Sequence, residues 1–297
     1  MPERIGFIGL GTMGGPMCAN LIKAGYPMTV FARRPEQAAP LAELGAKQAK
    51  SPRDLAQGSD VIITIVGDSP DVKSLMLSED GILAGSRPGQ IIIDMTSILP
   101  KVAQELAEKA AQVGVDMLDA PVSGGDVGAR EARLTIMVGG KKDVLEKCRP
   151  ILSVLGSKIV WAGSSGMGQM LKLCNQIICG LNLLALGEGL GFAKACGLDL
   201  ATVLDVVSSG AAGSWMLSNL GPRILKGDFE PGFSVAWQQK DLRNAQKQAD
   251  AINFPLPGTA IVQQMFRLVE KLGLGKEGTQ AIMRAYEIFL LQNQGNP

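Results

Sequence analysis

The chain contains 297 residues, of which 46% are hydrophobic and 19% are charged. That length and composition allow about two domains with sizeable cores. The formal net charge is +1, which gives no argument for binding nucleic acid. No histidine is present, so in an enzyme proton transfer would fall to a lysine, a carboxylate or a tyrosine.

Cysteine usage argues against a metal site and indicates a reducing compartment. The five cysteines are scattered, and no two of them form a Cys-x-x-Cys pair. Because no histidine can join them, we expect no structural zinc and no other bound metal. An odd, scattered set suits the cytosol, and no charged leader with an apolar core precedes the first predicted strand. We therefore expect a cytoplasmic protein.

Short apolar runs alternate with helix signals through roughly the first half of the chain. This alternation predicts a mostly parallel sheet with helices on both faces. Ser51 followed by Pro52 predicts the start of one of these helices. The predicted strands are Ile5–Ile8, Met28–Phe31, Val61–Val66, Ile91–Asp94, Met117–Leu118, Leu134–Val138 and Ile159–Trp161.

The pattern changes near residue 164, after which strand signals fade and helical periodicity dominates. We predict a Rossmann-type dinucleotide-binding domain over residues 1–164 and an all-helical domain over residues 165–297. A long interdomain helix over residues 167–194 would join them. Gly197 is the predicted end of the long helix, and Asp199 is the predicted cap of the next one. Two glycine-rich loops are predicted after it, at residues 208–214 and 229–233.

The long helix is strongly apolar over residues 176–193, which raises the question of a membrane span. Such a span needs about 20 predominantly apolar residues with few or no charges. Here Asn182, Glu188 and four glycines interrupt the run. We therefore expect a buried helix and no membrane partner.

The first predicted strand leads into three glycines, Gly9, Gly11 and Gly14, with the spacing of a dinucleotide-binding turn. The first glycine makes a tight turn, the second lets a pyrophosphate approach, and the third lets the helix pack on the strand. Together with Thr12 and Met13, these glycines are the predicted phosphate-binding residues. The alternative is a glycine-rich turn without a ligand.

The residues about 20 positions after the glycine turn determine the choice between NAD and NADP, because an acid there binds the ribose hydroxyls of NAD. This chain has Ala32, Arg33 and Arg34 in that region, and no acid before Glu36. Two guanidiniums can bind a 2′-phosphate, so NADP(H) is the preferred cofactor, with NAD(H) possible. The alternative is a solvated arginine pair with less selective binding of NAD.

Lys172 lies near the start of the predicted long helix, and Asn175 and Gln176 follow on the same helix face. An ammonium and two amides are costly to bury unless they are used. Lys172 could therefore donate a proton to a carbonyl oxygen as hydride arrives there. The spacing alone equally allows a lysine whose head group reaches solvent.

Four stretches make the chain resemble the β-hydroxyacid dehydrogenase family over nearly its full length. The first is the glycine turn already described. Residues 119–125, Asp-Ala-Pro-Val-Ser-Gly-Gly, resemble the family's substrate-binding segment. Residues 163–176 resemble its Gly-x-x-Gly-x-Gly-x-x-x-Lys motif, and residues 240–242, Lys-Asp-Leu, resemble its second lysine motif.

The resemblance implies roles for five residues around the substrate. Lys172 would be the general acid/base, and Asn175 would help to orient the substrate. Ser123, Gly124 and Gly125 would hold the substrate carboxylate, because a hydroxyl and flexible glycine backbone can present several donors to one anion.

Three further residues are implied to contact the cofactor. Val66 and Thr96 would line the cofactor groove. Lys240 would lie beside the nicotinamide and the substrate. The alternative for Lys240 is a surface charge paired with Asp241.

The resemblance implies an NADPH-dependent reductase of a small carboxylated aldehyde, most similar to members that convert tartronate semialdehyde to glycerate. A dehydrogenase of the 3-hydroxyisobutyrate, 4-hydroxybutyrate or glyoxylate type would use the same residues. An alternative of another class is a non-catalytic NADP-binding assembly module, although the presence of Lys172 argues against it. The resemblance also implies a homodimer or homotetramer.

Overall fold

The computed structural model describes residues 2–293, and the side chains of residues 2–288. The chain divides into two compact units, Met1–Lys172 and Leu173–Pro297. This division falls within a long helix, whereas the sequence-based boundary lies ahead of it, after residue 164.

The first unit contains a nine-stranded sheet. Its order is β3-β2-β1-β4-β5-β6-β8-β7, with β9 also paired to β8. The strands are β1 (Ile5–Ile8), β2 (Met28–Phe31), β3 (Lys47–Gln48), β4 (Val61–Thr64), β5 (Ile91–Asp94), β6 (Asp116–Asp119), β7 (Val122–Ser123), β8 (Thr135–Gly139) and β9 (Lys158–Gly163).

The sheet is mostly parallel, as the alternation of strands and helices predicts. All pairings from β3 through β6 are parallel, and so is β8 with β9. Only β8 runs antiparallel to β6 and β7 among the described strands. The prediction of a mostly parallel, Rossmann-type sheet is therefore confirmed.

Helices connect these strands. Ser51 begins one of them as predicted, because its hydroxyl accepts the backbone N–H of Asp54 at 3.1 Å. The helices of the first unit are α1 (Gly14–Lys23), α2 (Ala39–Glu43), α3 (Pro52–Gln57), α4 (Ser69–Leu77), α5 (Ile82–Gly85), α6 (Pro100–Gln112), α7 (Gly125–Arg130) and α8 (Lys142–Ser153).

Both faces of the sheet are covered, because alternate residues of each central strand enter different cores. Ile63 and Ile93 belong to one buried cluster, whereas their neighbours Ile62 and Ile92 belong to another. All four side chains are fully buried. This explains why the central strands are continuous apolar runs.

In its described part the second unit contains helices and connecting loops, with one isolated β-bridge between Ser234 and Gly278. Its core contains Leu183, Leu242 and Phe266, all fully buried. The helices are α9 (Met167–Ala195), which begins in the first unit, α10 (Leu200–Ser209), α11 (Trp215–Leu225), α12 (Val235–Ala251), α13 (Pro257–Lys271) and α14 (Ile282–Asn293). The predicted domain extends to residue 297, and residues 294–297 lie outside the described part.

The predicted turn signals of this unit mostly agree with the structure. Gly197 follows the end of α9 with a φ of +73°, and Asp199 caps α10 by accepting the backbone N–H of Thr202 at 2.9 Å. Residues 229–233 form no helix or strand. The predicted loop at 208–214 was partly wrong, because α10 continues through Ser209 and the loop begins after it.

Helix α9 is, among the described helices, the one long and apolar enough to cross a membrane by length and composition. Its mean hydropathy over the most apolar window is 1.4, and 39% of that window is buried. A core helix of a soluble protein passes the same test, so this is weak evidence for a span.

The contact between α1 and β1 yields a prediction about two adjacent glycines. A Cβ on Gly14 would lie 1.8 Å from the carbonyl oxygen of Gly9, whereas one on Gly15 would lie 3.6 Å from its nearest neighbour, the carbonyl oxygen of Leu10. Gly14→Ala should therefore lower the free energy of unfolding by roughly 2 kcal/mol. Gly15→Ala should leave it unchanged or raise it by up to about 1 kcal/mol.

Urea unfolding of the two variants and the wild type, followed by circular dichroism, measures this difference. Equal stabilities of the two variants would contradict the close packing at Gly14.

Candidate active site

The candidate cofactor groove lies where the strand order reverses. The chain passes from β1 to β2 on one side and returns to β4 on the other side. In open α/β sheets, ligands bind beyond the carboxyl ends of the strands at such a point. Gly9, Val66 and Thr96 follow β1, β4 and β5 at this edge. The backbone N–H of Val66 donates to the Thr96 hydroxyl at 3.0 Å, which joins two of them directly.

The three predicted glycines meet the demands of a dinucleotide turn. Gly9 has a φ of +102°, and a Cβ there would lie 2.0 Å from the carbonyl oxygen of Ile65. Gly14 is buried against the Gly9 carbonyl. A Cβ on Gly11 would meet nothing within 4 Å, so this exposed backbone is open to a ligand.

The start of α1 suits a phosphate for an additional reason. Met13 is its N-cap and makes no side-chain capping bond, and the first turn contains no acidic residue. Helix N-termini with available N–H groups attract anions. Thr12, also exposed, precedes it. The residues present therefore fit a dinucleotide pyrophosphate.

A cavity of about 580 Å³ lies beyond the ends of β2 and β3. Arg33 lines it, whereas Arg34 is exposed and does not belong to the lining. Arg33 Nη1 lies 3.7 Å from Asp71 Oδ1, which draws the guanidinium toward α4. Lys50 and Gln48 also line the cavity, and the sequence analysis missed both. The two residues of β3 are too few to show a strand pattern, so no sequence signal placed Lys50 here.

The predicted carboxylate-binding segment has a backbone that requires glycine. Ser123 ends β7 and is half-buried. Gly124 and Gly125 follow with φ values of +135° and +62°, in the region that L side chains avoid. A Cβ on Gly124 would also lie 3.2 Å from the Leu134 side chain. Backbone donors at these positions are therefore not covered by side chains of their own.

Lys172 lies in the first turns of α9 and is 6% exposed. The start of this helix is tied to the end of β6 by one buried carboxylate. Asp119 Oδ1 accepts the backbone N–H of Gly166 at 2.7 Å, and its Oδ2 accepts that of Gln169 at 2.9 Å. These two hydrogen bonds are called the Asp119 contact. They hold the first turn of α9, which directly precedes Lys172.

The side chain of Gln169 ties the same turn to the end of β5. Its Nε2 donates to the Thr96 carbonyl at 2.7 Å, and its Oε1 accepts the backbone N–H of Ile98 at 3.0 Å. Gln169 is fully buried. Because Thr96 also accepts from Val66, hydrogen bonds connect the predicted cofactor groove to the helix that carries Lys172.

Burial raises the pKa of Asp119 to about 6, although the two amide donors act in the opposite direction. The neighbouring charge of Asp94 raises it further. In the sequence Asp119 stands out only as the first residue of the carboxylate-binding motif. It directly follows the predicted strand Met117–Leu118 and precedes Ala120 and Pro121, and an acid in such apolar surroundings loses the water that stabilises its charge.

In the second unit, Lys240 lies on α12 and is 6% exposed. Its Nζ lies 3.0 Å from Asp241 Oδ1 and 5.4 Å from the centre of the Trp237 ring. The pairing with Asp241 therefore exists, but it is buried and is not a surface charge pair.

Asn175, half-buried on α9, donates from Nδ2 to Gln176 Oε1 at 2.9 Å.

The described residues contain no cluster of three or more His, Cys, Asp or Glu side chains that could hold a metal ion.

Two family models cover most of the chain. Residues 4–163 match the NAD binding domain of 6-phosphogluconate dehydrogenase. Residues 166–286 match the model described as NAD-binding of NADP-dependent 3-hydroxyisobutyrate dehydrogenase.

The chain belongs to the β-hydroxyacid dehydrogenase family. It is 40% identical over 286 residues to 2-hydroxy-3-oxopropionate reductase of Escherichia coli (strain K12), which covers 96% of this chain and 98% of the relative. It is 43% identical over 285 residues to probable 3-hydroxyisobutyrate dehydrogenase-like 1, mitochondrial, of Arabidopsis thaliana, covering 96% and 85% of the two chains.

A solved structure of the family has a similar fold. The 3-hydroxyisobutyrate dehydrogenase of Mycobacterium tuberculosis, with L-serine, superposes with a TM-score of 0.87 at 30% identity. The similarity covers 96% of this chain and 99% of the other. This β-hydroxyacid dehydrogenase is thus an NAD(P)-dependent oxidoreductase that acts on hydroxy acids.

The Asp119 contact of this β-hydroxyacid dehydrogenase predicts a pH dependence of stability. The pKa of about 6 exceeds the ordinary aspartate value. At a pH between the ordinary aspartate pKa and about 6, Asp119 is ionised in the unfolded chain but keeps its proton in the native chain. The free energy of unfolding that the raised pKa contributes is therefore present at low pH and is lost as the pH rises through about 6. When the pH is raised from 4.5 to 7, the free energy of unfolding of the wild type should fall by about 2 kcal/mol more than that of Asp119→Asn.

Urea unfolding at both pH values measures this difference, with the exposed Asp205→Asn as the control that should behave as wild type. A parallel pH response of Asp119→Asn and wild type would show that the carboxyl titrates normally.

Proposed function

We propose that this protein is an NADPH-dependent reductase of small carboxylated aldehydes, with tartronate semialdehyde, reduced to glycerate, as the first candidate. The observation that carries the proposal is the burial of Lys172 on a helix start fixed by Asp119 and Gln169. A buried lysine in a fixed position is suited to proton transfer, whereas a surface lysine would need no such support.

The chain's own residues would bind the aldehyde and supply its proton. A bound nicotinamide dinucleotide supplies the hydride for the aldehyde carbon. Lys172 gives a proton to the oxygen that becomes the alcohol, and the lysine is reprotonated from solvent after turnover. Ser123 and the backbone N–H groups of Gly124 and Gly125 hold the carboxylate, since charge-assisted bonds are the stronger kind. Asn175 and Lys240 orient the substrate.

The preference for NADPH is supported by the charge of the cavity beyond β2 and β3. Arg33 and Lys50 line it, and Arg34 lies next to Arg33. These cations favour a 2′-phosphate over a free ribose hydroxyl. The description of the second family model as NADP-dependent points the same way.

A 3-hydroxyisobutyrate dehydrogenase is the second candidate. The second family model and the Mycobacterium tuberculosis structure both carry that name. The same lysine and carboxylate-binding segment would serve this reaction. The two candidates differ in the group on the carbon between the carboxylate and the reacting carbon.

We also propose a cytoplasmic homodimer or homotetramer. Large apolar side chains of the second unit are exposed in the single chain, which is typical of a surface that another copy covers. They include Ile178, Phe192, Val206, Trp215 and Ile252.

The experiment that tests the proposal is the initial rate of cofactor oxidation with tartronate semialdehyde, methylmalonate semialdehyde, succinic semialdehyde and glyoxylate. Each substrate is measured with NADPH and with NADH. We expect the highest kcat/KM with tartronate semialdehyde and NADPH. Higher values with methylmalonate semialdehyde would favour the second candidate, and no oxidation with any pair would refute a reductase of small carboxylated aldehydes.

Removal of the lysine tests its role directly. Lys172→Ala should lower kcat by roughly 10²- to 10⁴-fold, because it removes the proton donor to the forming alcohol. NADPH binding, measured by fluorescence titration, should change little, since the cofactor groove is built from other residues. Lys158→Ala, which alters an exposed lysine of β9, is the control and should retain wild-type turnover. Near-normal turnover of Lys172→Ala would exclude it as the acid.

A further inference from the structure

A chain of side-chain hydrogen bonds in the second unit ends at Asn175. Gln176 Nε2 donates to Asp241 Oδ2 at 2.7 Å, and Asn175 Nδ2 donates to Gln176 Oε1 at 2.9 Å. Gln176 is 4% exposed and Asp241 is 1% exposed. These three residues are called the carboxamide chain below.

The carboxylate at one end of the carboxamide chain sets the direction of every bond in it. An ionised carboxylate only accepts hydrogen bonds, so Gln176 must turn its NH₂ group toward Asp241. The oxygen of Gln176 then faces the other way and accepts a hydrogen bond from the NH₂ group of Asn175. Lys240 Nζ, 3.0 Å from the second oxygen of Asp241, complements the negative charge.

The amide nitrogen of Asn175 has a second partner, a sulfur atom on the same helix. Nδ2 lies 3.5 Å from Cys179 Sγ, one turn further along α9, within the distance of a weak hydrogen bond to sulfur. Both hydrogens of the Asn175 amide are therefore directed at the protein. Its Oδ1 accepts no hydrogen bond from the described residues, and this oxygen is the group that remains for a substrate.

We infer that Asn175 presents a hydrogen-bond acceptor to the substrate, and that the protein selects substrates with a hydroxyl on the carbon next to the reacting carbon. This inference rests on the proposed function. Asn175 follows Lys172 by three positions, so their side chains are neighbours on one face of α9. Lys172 donates a proton to the reacting oxygen, and Asn175 Oδ1 accepts a hydrogen bond from a hydroxyl on the adjacent carbon.

The inference distinguishes between small substrates of similar size. An oxygen acceptor repels a carboxylate, so Asn175 does not bind the acid group, which is assigned to the Ser123 segment. It also gains nothing from a methyl group or a hydrogen at the adjacent carbon. A site that hydrogen-bonds a substrate hydroxyl rejects the analogue that lacks it, because its polar group is left unpaired.

The matched test uses the oxidation direction with NADP⁺ and two stable alcohols. Glycerate and 3-hydroxypropanoate differ only in the 2-hydroxyl, and both enantiomers of glycerate are measured. Oxidation converts the terminal alcohol to the aldehyde, transfers a hydride to NADP⁺ and releases one proton. We expect wild type to prefer the better glycerate enantiomer by about tenfold or more in kcat/KM.

Gln176→Met tests whether the carboxamide chain causes this preference. It keeps a side chain of similar length and removes the hydrogen bonds of the Gln176 carboxamide to Asn175, Asp241 and Gln238, so Asn175 can rotate. The preference should fall toward equal kcat/KM values, mainly by loss of activity on glycerate. Gln280→Met is the matched control, because Gln280 is also buried and donates to the carbonyls of Asp228 and Glu230, outside the carboxamide chain.

A second variant covers the case that Gln176→Met does not fold, as judged by circular dichroism. Asn175→Ala removes the acceptor itself and should lower kcat/KM for glycerate by about tenfold while affecting 3-hydroxypropanoate less. An unchanged preference in the folded variants, or a wild type that prefers 3-hydroxypropanoate, overturns the inference.

A measurement without turnover separates this inference from the proposed function. Neutron diffraction of the perdeuterated protein locates the deuterium atoms of the Asn175 and Gln176 amides directly. We expect them on the Asn175 atom that faces Gln176, and the reverse orientation overturns the inference at any level of activity. If wild type oxidises neither alcohol, the hydroxyl selection is wrong, whereas the proposed function is refuted only if none of the aldehydes is reduced either.

Discussion

The buried carboxylate of Asp119 is the interaction on which the candidate site of the first unit depends. A helix start leaves several backbone N–H groups without partners inside the helix. Asp119 accepts two of them at the end of a central strand. The first turn of α9 is therefore held at the same edge of the sheet as Thr96, which Gln169 reaches by its side chain. The position of Lys172 follows from this arrangement.

A second buried carboxylate has a comparable effect in the other unit. Asp241 accepts a hydrogen bond from Gln176 and forms an ion pair with Lys240. It therefore sets the orientation of the Gln176 amide and holds the ammonium group of Lys240 in place. In each unit a group that can only accept hydrogen bonds determines which way its neighbours turn. Buried polar networks favour one arrangement, because a polar group left unpaired in the low-dielectric interior is costly. Chemistry at the site is thus prepared by residues that need not touch the substrate.

Much of the architecture was predictable because it follows from local patterns. The central strands are continuous apolar runs since both faces are buried, and β2 and β5 agree with the predicted bounds. The short strands β3 and β7 were missed because two residues carry no periodicity. The extent of α10 was missed because Ser208 and Ser209 continue a helix that the glycines beyond them end. In these cases tertiary pairing or packing outweighed local preference.

The sequence by itself determined the glycine turn, the alternation of strands and helices, and the identity of the lysine and amide residues near the start of α9. These follow from backbone sterics and side-chain period, which act over a few neighbouring residues. Only the tertiary structure decided that Asp119 meets Gly166, that Lys50 joins Arg33 in one cavity, and that Gln176 meets Asp241. Those partners are far apart in the chain, and only the packing of strands and helices brings such groups within hydrogen-bonding distance.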